Sequence, residues 1–523
     1  VKEVAYENIE EKFETAYLGL AYMAKALSNV FPSAKINLAV IDNQLAKVAV
    51  DDVIDPVKAA IHGPVRVMPL ELPGLSAKLI DIPYPFESTS EQSTYLSLTF
   101  DELHYETDDP FVSYRYGQRW TPYFEQASAN DKLHSGVEIK TGGTYVIVGG
   151  LGAMGRTIAQ DLIAEHKAKV VLLHRSAIPE RSEWETYLSD ESSHAVTKEK
   201  IRSLRQMEAA GGPPDLYQLD VTSETQVRTF SQYMKEHFPK IDGLIWAAGL
   251  VDYGGIIQQR DREAFLSYTA SKINGVLLFE KYFDLGNFDF VALFSSIGND
   301  FYHEKFGQVA YNAANAFMES YPHYARQNRD THFFYINWCD WLNIGMTVNS
   351  IRQQQQEQED IRSINSKIAY GISPREGVRA FYKCLHSKAA GATIFKGDLN
   401  AAIRSHKIAF AKSMTLFAEQ PVTSLEEVDE QSLESRLISL FSDFFGAENL
   451  NGNSNFFELG GDSLKGMTLL ARINQQFGSK LTLTDIYEYP TIGQVADNLL
   501  NRSLIGKVKK GAVSENVLHK ITI

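Results

Sequence analysis

Short apolar runs alternate with helical stretches between residues 140 and 398. Each run has the length of a buried strand, and the segment that separates it from the next is long enough for a helix. This alternation is typical of a parallel, doubly wound α/β sheet of the Rossmann type, because parallel strands need long crossover connections. The predicted strands are Thr144–Val148, Lys169–Leu173, Leu216–Leu219, Gly243–Trp246, Phe290–Phe294 and Phe333–Asn337.

A glycine-rich turn directly follows the first of these strands. Its sequence is Gly-Gly-Leu-Gly-Ala-Met-Gly, and three of its glycines have the spacing G-x-G-x-x-G. Between a strand and a helix, this spacing lets the backbone approach a pyrophosphate, whose negative charge then faces the helix N-terminus. The sequence therefore predicts a dinucleotide site rather than a plain tight turn, with contacts from Gly149, Gly150, Leu151, Gly152, Met154 and Gly155.

The end of the second predicted strand favours NADP over NAD. It carries Arg175 and Ser176, and it lacks the acidic residue that would accept a hydrogen bond from the ribose 2′-hydroxyl of NAD. Arg175 instead suits the 2′-phosphate of NADP. The alternative explanation is an ordinary surface arginine.

Four polar residues in the same region have the spacing of an active site. Ser296 closes the fifth predicted strand, Tyr311 follows it by fifteen positions, and Asn315 follows Tyr311 by four. Tyr311 and Asn315 therefore share one face of a helix. Lys272 precedes Ser296 by twenty-four positions, on another predicted helix. Taken singly, each residue also has an ordinary structural explanation.

This Lys-Ser-Tyr-Asn arrangement resembles the ketoreductase domains of polyketide and hybrid assembly lines, a branch of the short-chain dehydrogenases. In that branch an asparagine follows the tyrosine by four positions, and the lysine comes from the preceding helix. The resemblance implies that Tyr311 donates a proton to a carbonyl oxygen that Ser296 also hydrogen-bonds. It further implies that the Lys272 ammonium eases release of the phenol proton, while Asn315 steadies Lys272 or a relay water.

The resemblance also extends the cofactor site and implies NADPH as the reductant. After the third predicted strand, Asp220 and Val221 resemble the adenine contact of these enzymes. After the fourth, Ala247, Ala248 and Gly249 resemble the loop that passes under the nicotinamide side of the cofactor.

Residues 1–138 resemble the truncated Rossmann-like structural subdomain that comes first in such ketoreductases. The catalytic subdomain that follows it is predicted over residues 139–404. The resemblance rests on residues 65–71 and 114–120. An amphipathic helix is predicted from Glu7 to Asn29. No glycine-rich turn follows any of the strand candidates, which are Lys35–Ile41, Val65–Leu70, Lys78–Ile82 and Tyr95–Phe100.

Two departures from the ketoreductase pattern bear on the substrate. The serine and tyrosine usually lie thirteen positions apart, so the stretch from Gly298 to Phe306 is two residues longer here. The segment Leu250–Gly254 keeps only part of a Leu-Asp-Asp stereochemical signature. The configuration of the alcohol therefore stays open.

A second functional motif lies near the C-terminal end of the sequence. Residues 455–464 read Asn-Phe-Phe-Glu-Leu-Gly-Gly-Asp-Ser-Leu, with apolar helical patterns around them. This run resembles the attachment site of carrier domains, in which 4′-phosphopantetheine is joined to the serine, here Ser463. An ordinary helix N-cap is the alternative. We predict a linker over residues 405–430, a small four-helix carrier bundle over 431–503 and a tail over 504–523.

The carrier motif bears on the kind of assembly line. Its Leu-Gly-Gly-Asp-Ser-Leu form resembles peptidyl carriers, which favours a nonribosomal peptide synthetase module that reduces an α-keto acid to an α-hydroxy acid for a depsipeptide. The alternatives are reduction of a β-ketoacyl thioester in a polyketide synthase, or a non-catalytic scaffold beside a carrier. A free-standing dehydrogenase is disfavoured by the fused carrier. The implied partners are a tethered acyl thioester, an upstream adenylation or ketosynthase domain, a downstream condensation-type domain and a phosphopantetheinyl transferase.

Composition excludes several other classes of function. The net charge is −14 without a basic block, which argues against nucleic-acid binding. No apolar run approaches the roughly 20 residues of a membrane span. The two cysteines, Cys339 and Cys384, fit a reducing cytoplasm and form neither a disulfide framework nor a metal motif. Because the sequence begins at Val1 without an initiator methionine, we expect a fragment of a larger chain.

Overall fold

The computed structural model describes residues 9–31, 35–72, 74–105, 109–127, 137–252, 254–345, 348, 368, 370–418, 430–447, 449–459, 461, 463–479 and 481–509. The chain forms two compact units. The first consists of residues 1–302, 307–348 and 365–400, and the second of residues 303–306, 349–364 and 401–523.

The first unit opens with a small sheet in the strand order β1-β2-β3-β4. The first three strands are parallel, and β4 pairs antiparallel with β3 at the edge. The predicted strands at Lys35–Ile41 and Lys78–Ile82 are confirmed to within a few residues, whereas β3 and β4 were not predicted. The bounds are Ile36–Asp42 for β1, Leu75–Asp81 for β2, Phe111–Arg115 for β3 and Gln118–Trp120 for β4.

The predicted N-terminal helix is present. Helix α1 runs as α-helix over Ile9–Lys12, as π-helix over Phe13–Leu18 and again as α-helix over Gly19–Val30. Its side chains at positions 13, 17, 18, 21 and 24 are buried in the core. The predicted apolar face of Phe13, Tyr17, Leu20, Met23 and Leu27 is only partly confirmed, because the last three of these side chains are half-buried.

Two predicted strands of this region are wrong, because both segments are helical. The predicted strand Val65–Leu70 lies in α2, His62–Glu71, which is buried on nearly all sides. A fully buried helix reads as a continuous apolar run and cannot be told from a buried strand by periodicity alone. The predicted strand Tyr95–Phe100 lies in α3, Thr89–His104.

The start of α3 carries a helix-start signal formed by Ser88 and Glu91. The Ser88 hydroxyl accepts a hydrogen bond from the backbone N–H of Glu91 at 3.1 Å. The Glu91 carboxylate in turn accepts from the backbone N–H of Glu87 at 2.6 Å. Ser followed three residues later by Glu is a helix-start signal, whereas the alternating pattern over 95–100 imitates a half-buried strand.

The larger sheet confirms the predicted doubly wound architecture. The described residues form seven parallel strands in the order β11-β10-β9-β8-β5-β6-β7. Each of the six strand predictions matches a strand to within two residues at either end, and only the short β11 was not predicted. The bounds are Thr144–Val148 for β5, Lys169–His174 for β6, Asp215–Gln218 for β7, Gly243–Trp246 for β8, Phe290–Ser296 for β9, His332–Trp338 for β10 and Gly391–Thr393 for β11.

Helices cover both faces of this sheet. Successive strand residues point to opposite faces of the sheet, and a separate apolar cluster covers each face. One cluster includes side chains of α7 (Glu224–His237), α9 (Ile273–Tyr282) and α10 (Val309–Ala325). The other includes side chains of α4 (Ala153–His166), α6 (Ala195–Ala210) and α11 (Pro374–His386). Such two-sided burial explains why the parallel strands are continuous apolar runs. The helices are α4 Ala153–His166, α5 Trp184–Ser189, α6 Ala195–Ala210, α7 Glu224–His237, α8 Arg262–Ala270, α9 Ile273–Tyr282, α10 Val309–Ala325 and α11 Pro374–His386.

The small sheet and the large sheet belong to one unit because α2 packs against α10. A Cβ atom on Gly63 of α2 would lie 2.6 Å from the carbonyl oxygen of Val309, so only glycine permits this approach. Apolar side chains of α1 and α2 share a core cluster with those of α10, among them Tyr17, Met68, Phe317 and Tyr321.

The second unit contains the helices expected of a small carrier bundle. Helix α12, Leu399–Ala418, covers much of the predicted linker, and residues 419–429 lie outside the described part of the chain. The last helix continues through residue 509 into the predicted tail, whose residues 510–523 are likewise outside it. The remaining bounds are Glu430–Phe445 for α13, Ser463–Phe477 for α14, Leu483–Glu488 for α15 and Ile492–Lys509 for α16.

Two further features are absent from the described residues, namely a membrane-spanning helix and a metal site. None of their helices is long and apolar enough to cross a membrane. No group of three or more His, Cys, Asp or Glu side chains among them could hold a metal ion.

Candidate active site

The predicted cofactor and catalytic residues follow neighbouring strands of the large sheet. Val148 at the end of β5 pairs with Leu173 of β6 on one side and with Trp246 of β8 on the other. Trp246 in turn pairs with Leu293 of β9. Strand order reverses between β5 and β8, and ligands of such sheets bind in the crevice at this point, beyond the carboxyl ends of the strands.

The glycine turn after β5 has a shape that only glycines allow. Gly149 has φ +76°, and a Cβ atom on it would lie 2.8 Å from the backbone of Ala248. A Cβ atom on Gly150 would lie 2.7 Å from the side chain of Leu172, and one on Gly155 would lie 2.9 Å from the carbonyl oxygen of Gly149. The turn is therefore packed tightly against the neighbouring strand β6 and the loop after β8.

The helix that follows the turn is suited to an anion. Gly152 is the N-cap residue of α4 and has no side chain that could accept from the first backbone N–H groups. These groups and the helix dipole favour a negative charge at this end. The residues present therefore fit the pyrophosphate of a dinucleotide. Leu151 is buried beside them, and Met154 packs partly against the same core.

The remaining predicted cofactor contacts lie at the ends of the adjacent strands. Arg175 and Ser176 are exposed directly after β6. The Asp220 carboxylate accepts from the backbone N–H and hydroxyl of Thr222 at 2.9 and 2.7 Å, beside the buried Val221. This arrangement leaves the Arg175 guanidinium exposed to solvent, where a phosphate can reach it.

The loop after β8 brings the cofactor residues and the catalytic residues together. Ala247, Ala248 and Gly249 follow β8, and a Cβ atom on Gly249 would lie 3.1 Å from Cε of Lys272. Glycine at this position therefore lets the loop lie directly against the lysine side chain. The glycine turn meets the same loop through the contact between Gly149 and Ala248.

Three of the four predicted catalytic residues form one cluster. Lys272 is the residue directly before α9, and its Nζ donates to the carbonyl oxygen of Phe294 at 2.9 Å and to Oδ1 of Asn315. The same Nζ lies 5.9 Å from the centroid of the Tyr311 ring. Lys272 is only 7% exposed and Asn315 is fully buried, so the cluster is well shielded from solvent.

Burial changes the proton affinity of the lysine. Desolvation lowers the pKa of Lys272 from its ordinary value of 10.5 to about 7, and the nearby Glu319 opposes this shift. The Lys272 proton is therefore labile near neutral pH, as suits a group that passes protons to a neighbour.

Ser296 lies at the last position of β9. Its hydroxyl oxygen accepts from the backbone N–H of Gly298 at 3.0 Å, so its own proton remains available for donation. The adjacent Ser295 donates to the backbone carbonyl of Asn315 at 3.2 Å. This hydrogen bond holds the end of β9 against α10, the helix that carries Tyr311.

One important residue was not predicted as functional, namely Asp252. Its Oδ2 accepts from the backbone N–H groups of Ala310 and Tyr311 at 3.0 and 3.2 Å. Its Oδ1 pairs with the Arg260 guanidinium at 2.6 Å, and neither side chain is exposed. Arg260 also donates to the carbonyl oxygen of Gly307 at 2.7 Å. Asp252 lies in the segment that resembles part of a stereochemical signature. Its carboxylate therefore holds the first turn of α10 in place.

Glu71 of α2 completes this support from the small subdomain. Its two carboxylate oxygens accept from the backbone N–H groups of Gly307 at 2.9 Å and Ile257 at 2.7 Å. The sequence marks Asp252 only as part of an incomplete stereochemical signature and Glu71 only as the end of the segment 65–71. It does not reveal their supporting role, because each carboxylate bonds to groups far away along the chain.

In the second unit, the predicted attachment serine is the first residue of α14. The side chain of Ser463 and all of Gly460 and Asp462 lie outside the described part of the structure. In the preceding loop, a Cβ atom on Gly461 would lie 2.3 Å from the ring of the buried Phe456, so glycine is required there.

Two protein families match separate parts of the chain. Residues 143–343 match the KR domain, and residues 435–499 match the phosphopantetheine attachment site. The first stretch therefore belongs to the KR-domain family and the second to the phosphopantetheine-attachment family. The chain thus joins a ketoreductase (KR) domain to a carrier domain, and the two families imply NADPH and 4′-phosphopantetheine as cofactors.

Curated relatives are much longer proteins. Polyketide synthase PksN of Bacillus subtilis (strain 168) is 24% identical over 404 residues, which are 74% of this chain and 7% of that protein. The 6-methylsalicylic acid synthase of Aspergillus terreus (strain NIH 2624 / FGSC A1156) is 22% identical over 469 residues, which are 85% of this chain and 25% of that protein. The chain therefore spans a quarter or less of these two relatives.

Solved structures share the fold. A ketoreductase domain from the bacillaene assembly line has a TM-score of 0.59 at 20% identity, covering 77% of this chain and 88% of that one. A multidomain structure with adenylation, ketoreductase and pseudo Asub domains, from a keto acid-selecting NRPS module, has a TM-score of 0.62 at 20% identity. This second match covers 78% of this chain and 32% of that one.

Proposed function

We propose that this protein reduces a ketoacyl thioester to a hydroxyacyl thioester while the acyl group is held on a phosphopantetheine arm at Ser463. The observation that carries the proposal is the cluster of Lys272, Asn315 and Tyr311 against the loop of Gly249. This cluster joins a proton-donating phenol and a buried lysine to the glycine turn of a dinucleotide site.

The side chains divide the chemistry between them. NADPH held at the glycine turn would supply a hydride to the carbonyl carbon, and negative charge would then grow on the carbonyl oxygen. Tyr311 donates its phenolic proton to that oxygen, and Ser296 donates a hydrogen bond to it. Lys272, which Asn315 and the Phe294 carbonyl hold in place, returns a proton to the phenolate.

We further propose that the substrate is an α-ketoacyl group in a depsipeptide-making nonribosomal peptide synthetase. The peptidyl-carrier form of residues 459–464 supports this choice, as does the similarity to a structure named as a keto acid-selecting NRPS module. The names of the curated relatives favour the second candidate, reduction of a β-ketoacyl group in a polyketide synthase.

The proposed partners follow from a substrate that is held covalently. A phosphopantetheinyl transferase would add the arm to Ser463. An upstream adenylation or ketosynthase domain would supply the acyl group, and a downstream condensation-type domain would accept the reduced product.

A parallel loading experiment tests the reaction and distinguishes the substrates. Ser463 is charged with 2-ketoacyl or 3-ketoacyl pantetheine, NADPH is added, and the carrier-bound product is weighed by mass spectrometry. Reduction adds two hydrogen atoms, a gain of about 2 Da. A faster gain with the 2-keto substrate supports the α-keto proposal, and a faster gain with the 3-keto substrate supports the second candidate. No gain with either substrate would leave a non-catalytic scaffold as the better explanation.

Replacing Ser463 with alanine should abolish attachment of the arm. With a phosphopantetheinyl transferase and coenzyme A, the unmodified chain should gain the mass of one arm, whereas Ser463→Ala should gain none. Ser454→Ala is a matched control from the preceding loop, where the Ser454 hydroxyl only accepts from the backbone N–H of Asn451 at 2.9 Å. An unchanged mass gain in Ser463→Ala would place the arm elsewhere.

Replacing Arg175 with alanine should weaken NADPH binding about tenfold or more, since a hydrogen bond to a charged group contributes about 1.5–3 kcal/mol. Binding of NADH should change little, because it has no 2′-phosphate. Titrations that follow nucleotide fluorescence measure both affinities. Arg181→Ala is the control, since Arg181 also follows β6 but pairs with Glu208. Equal losses for NADPH and NADH would contradict the assignment.

A further inference from the structure

On helix α10, Glu319 lies on the same face as Tyr311 and Asn315, but the proposed reaction does not use it. Glu319 lies eight residues after Tyr311 and four after Asn315, so the three side chains fall within about 80° of the helix circumference. The Glu319 Oε1 atom accepts from Nδ2 of Asn299 at 2.8 Å. Its charge acts on the buried ammonium of Lys272.

A second carboxyl group stands beside the first. Asp300 follows β9 shortly after Ser296, and Oγ1 of Thr393 donates towards its Oδ2 at 3.5 Å. Asp300 and Glu319 repel each other, and the Arg66 guanidinium of α2 attracts both. The charged and titratable groups that face the two carboxyls are therefore Lys272, Arg66 and the phenol of Tyr335.

Several buried polar atoms surround this pair without a protein partner. Four of the buried atoms that lack a hydrogen-bond partner among the described residues belong to this group: Arg66 Nη1, Asn299 Oδ1, Asn315 Nδ2 and Asn337 Oδ1. Buried polar atoms are normally satisfied, and those without a protein partner typically bind ordered water. The group contains both donors and acceptors, which a chain of water molecules requires. Asp300 and Glu319 themselves are half-buried, which gives the chain an outlet to solvent.

We propose that Glu319 and Asp300 form a proton relay that reloads Lys272 after each reduction. This inference rests on the proposed function, and it assigns the route by which the consumed proton is replaced. In each turnover Tyr311 gives one proton to the product oxygen and regains one from Lys272. Lys272 then takes a proton from Glu319 through water, and Glu319 recovers one from Asp300 and solvent. One proton enters from solvent for each alcohol formed.

Burial shifts the proton affinities of the lysine and the two acids towards each other. Desolvation raises the pKa of Asp300 to about 8, and it also raises that of Glu319. Desolvation lowers the pKa of Lys272 to about 7. These opposite shifts bring the proton affinities of the lysine and the acids closer together, which lowers the energetic step of moving a proton between them.

Removing one acid of the relay should change how the rate depends on pH. In Glu319→Gln, which keeps the shape of the side chain, reduction should slow about tenfold near pH 8 and much less near pH 6, where solvent supplies protons readily. Asp300→Asn should shift the profile in the same direction. Glu280→Gln is the matched control, because Glu280 is another largely buried acid but pairs with Arg329. Profiles of both relay variants that superpose on the wild-type profile would overturn the relay.

A second measurement does not depend on activity. In protein labelled with ¹³C at lysine Cε, the signal of Lys272 is assigned by its loss in Lys272→Met and followed through a pH titration. Glu319→Gln should lower the pKa of Lys272, because the ammonium loses an anionic neighbour, and Glu280→Gln should leave it unchanged. An identical titration in Glu319→Gln overturns the relay. A wild type that reduces no ketoacyl substrate overturns the proposed function instead.

Discussion

Replacing Tyr311 with phenylalanine should lower the rate of thioester reduction by about 10²- to 10⁴-fold, the range typical of losing a general acid. The phenyl ring keeps its position beside Lys272, while the proton that would neutralise the product oxygen is gone. NADPH affinity should change less than about twofold, because the glycine turn and its helix are untouched. Single-turnover reduction of the loaded carrier measures the rate, and nucleotide fluorescence measures the affinity.

A second tyrosine of the same helix provides the control for this variant. Tyr324 is 3% exposed and packs in the apolar core shared by the two sheets. Tyr324→Phe should therefore reduce the thioester at the wild-type rate. Full turnover by Tyr311→Phe would remove the phenol from the mechanism. A large loss in both variants would show that the helix, rather than the hydroxyl, is sensitive to substitution.

Lys272 illustrates how burial refines an interpretation made from the sequence. The resemblance to ketoreductases implies a Lys272 ammonium that eases proton release from Tyr311. The structure places this lysine in a desolvated position that lowers its pKa to about 7. We therefore expect its charge to depend on Asn315, on the Phe294 carbonyl and on nearby acids, and we propose that Lys272 serves as a proton carrier as well as a cation.

The larger sheet could be predicted because its strands are buried on both faces. Residues 290–294, for example, form one apolar run, and such runs between helical stretches indicate parallel strands. Tyr311 and Asn315 were likewise accessible, since positions i and i+4 on a helix share a face. The segment 65–70 was mistaken for a strand because α2 is buried on nearly all sides.

Other features depend on contacts that no local pattern encodes. The Asp252 carboxylate bonds to the backbone of residues 310 and 311, fifty-eight and fifty-nine positions later. Glu71 bonds to Gly307 across an even longer separation. The role of such residues is set by tertiary packing, so the sequence alone indicates candidate catalytic groups more readily than the groups that hold them in place.

The buried pair of Asp252 and Arg260 provides the second large expected effect, here on stability. Asp252→Leu leaves the Arg260 guanidinium buried without its carboxylate and should lower the free energy of unfolding by about 3–5 kcal/mol. Urea unfolding measures this change. Lys281→Met is the control, since it removes an exposed pair with Glu224 and should cost no more than about 1 kcal/mol. An Asp252→Leu protein as stable as the wild type would contradict the expectation.

The double variant Asp252→Leu/Arg260→Met separates stability from positioning of the phenol. Replacing both charges with apolar side chains should restore most of the lost stability, because neither desolvated ion remains unpaired. Leucine cannot accept from the backbone N–H groups of Ala310 and Tyr311, so the first turn of α10 loses its anchor. Reduction by the double variant should therefore remain at least about tenfold slower than in the wild type, since small displacements of catalytic groups lower the rate. Recovery of both stability and rate would mean that Asp252 only balances the charge of Arg260.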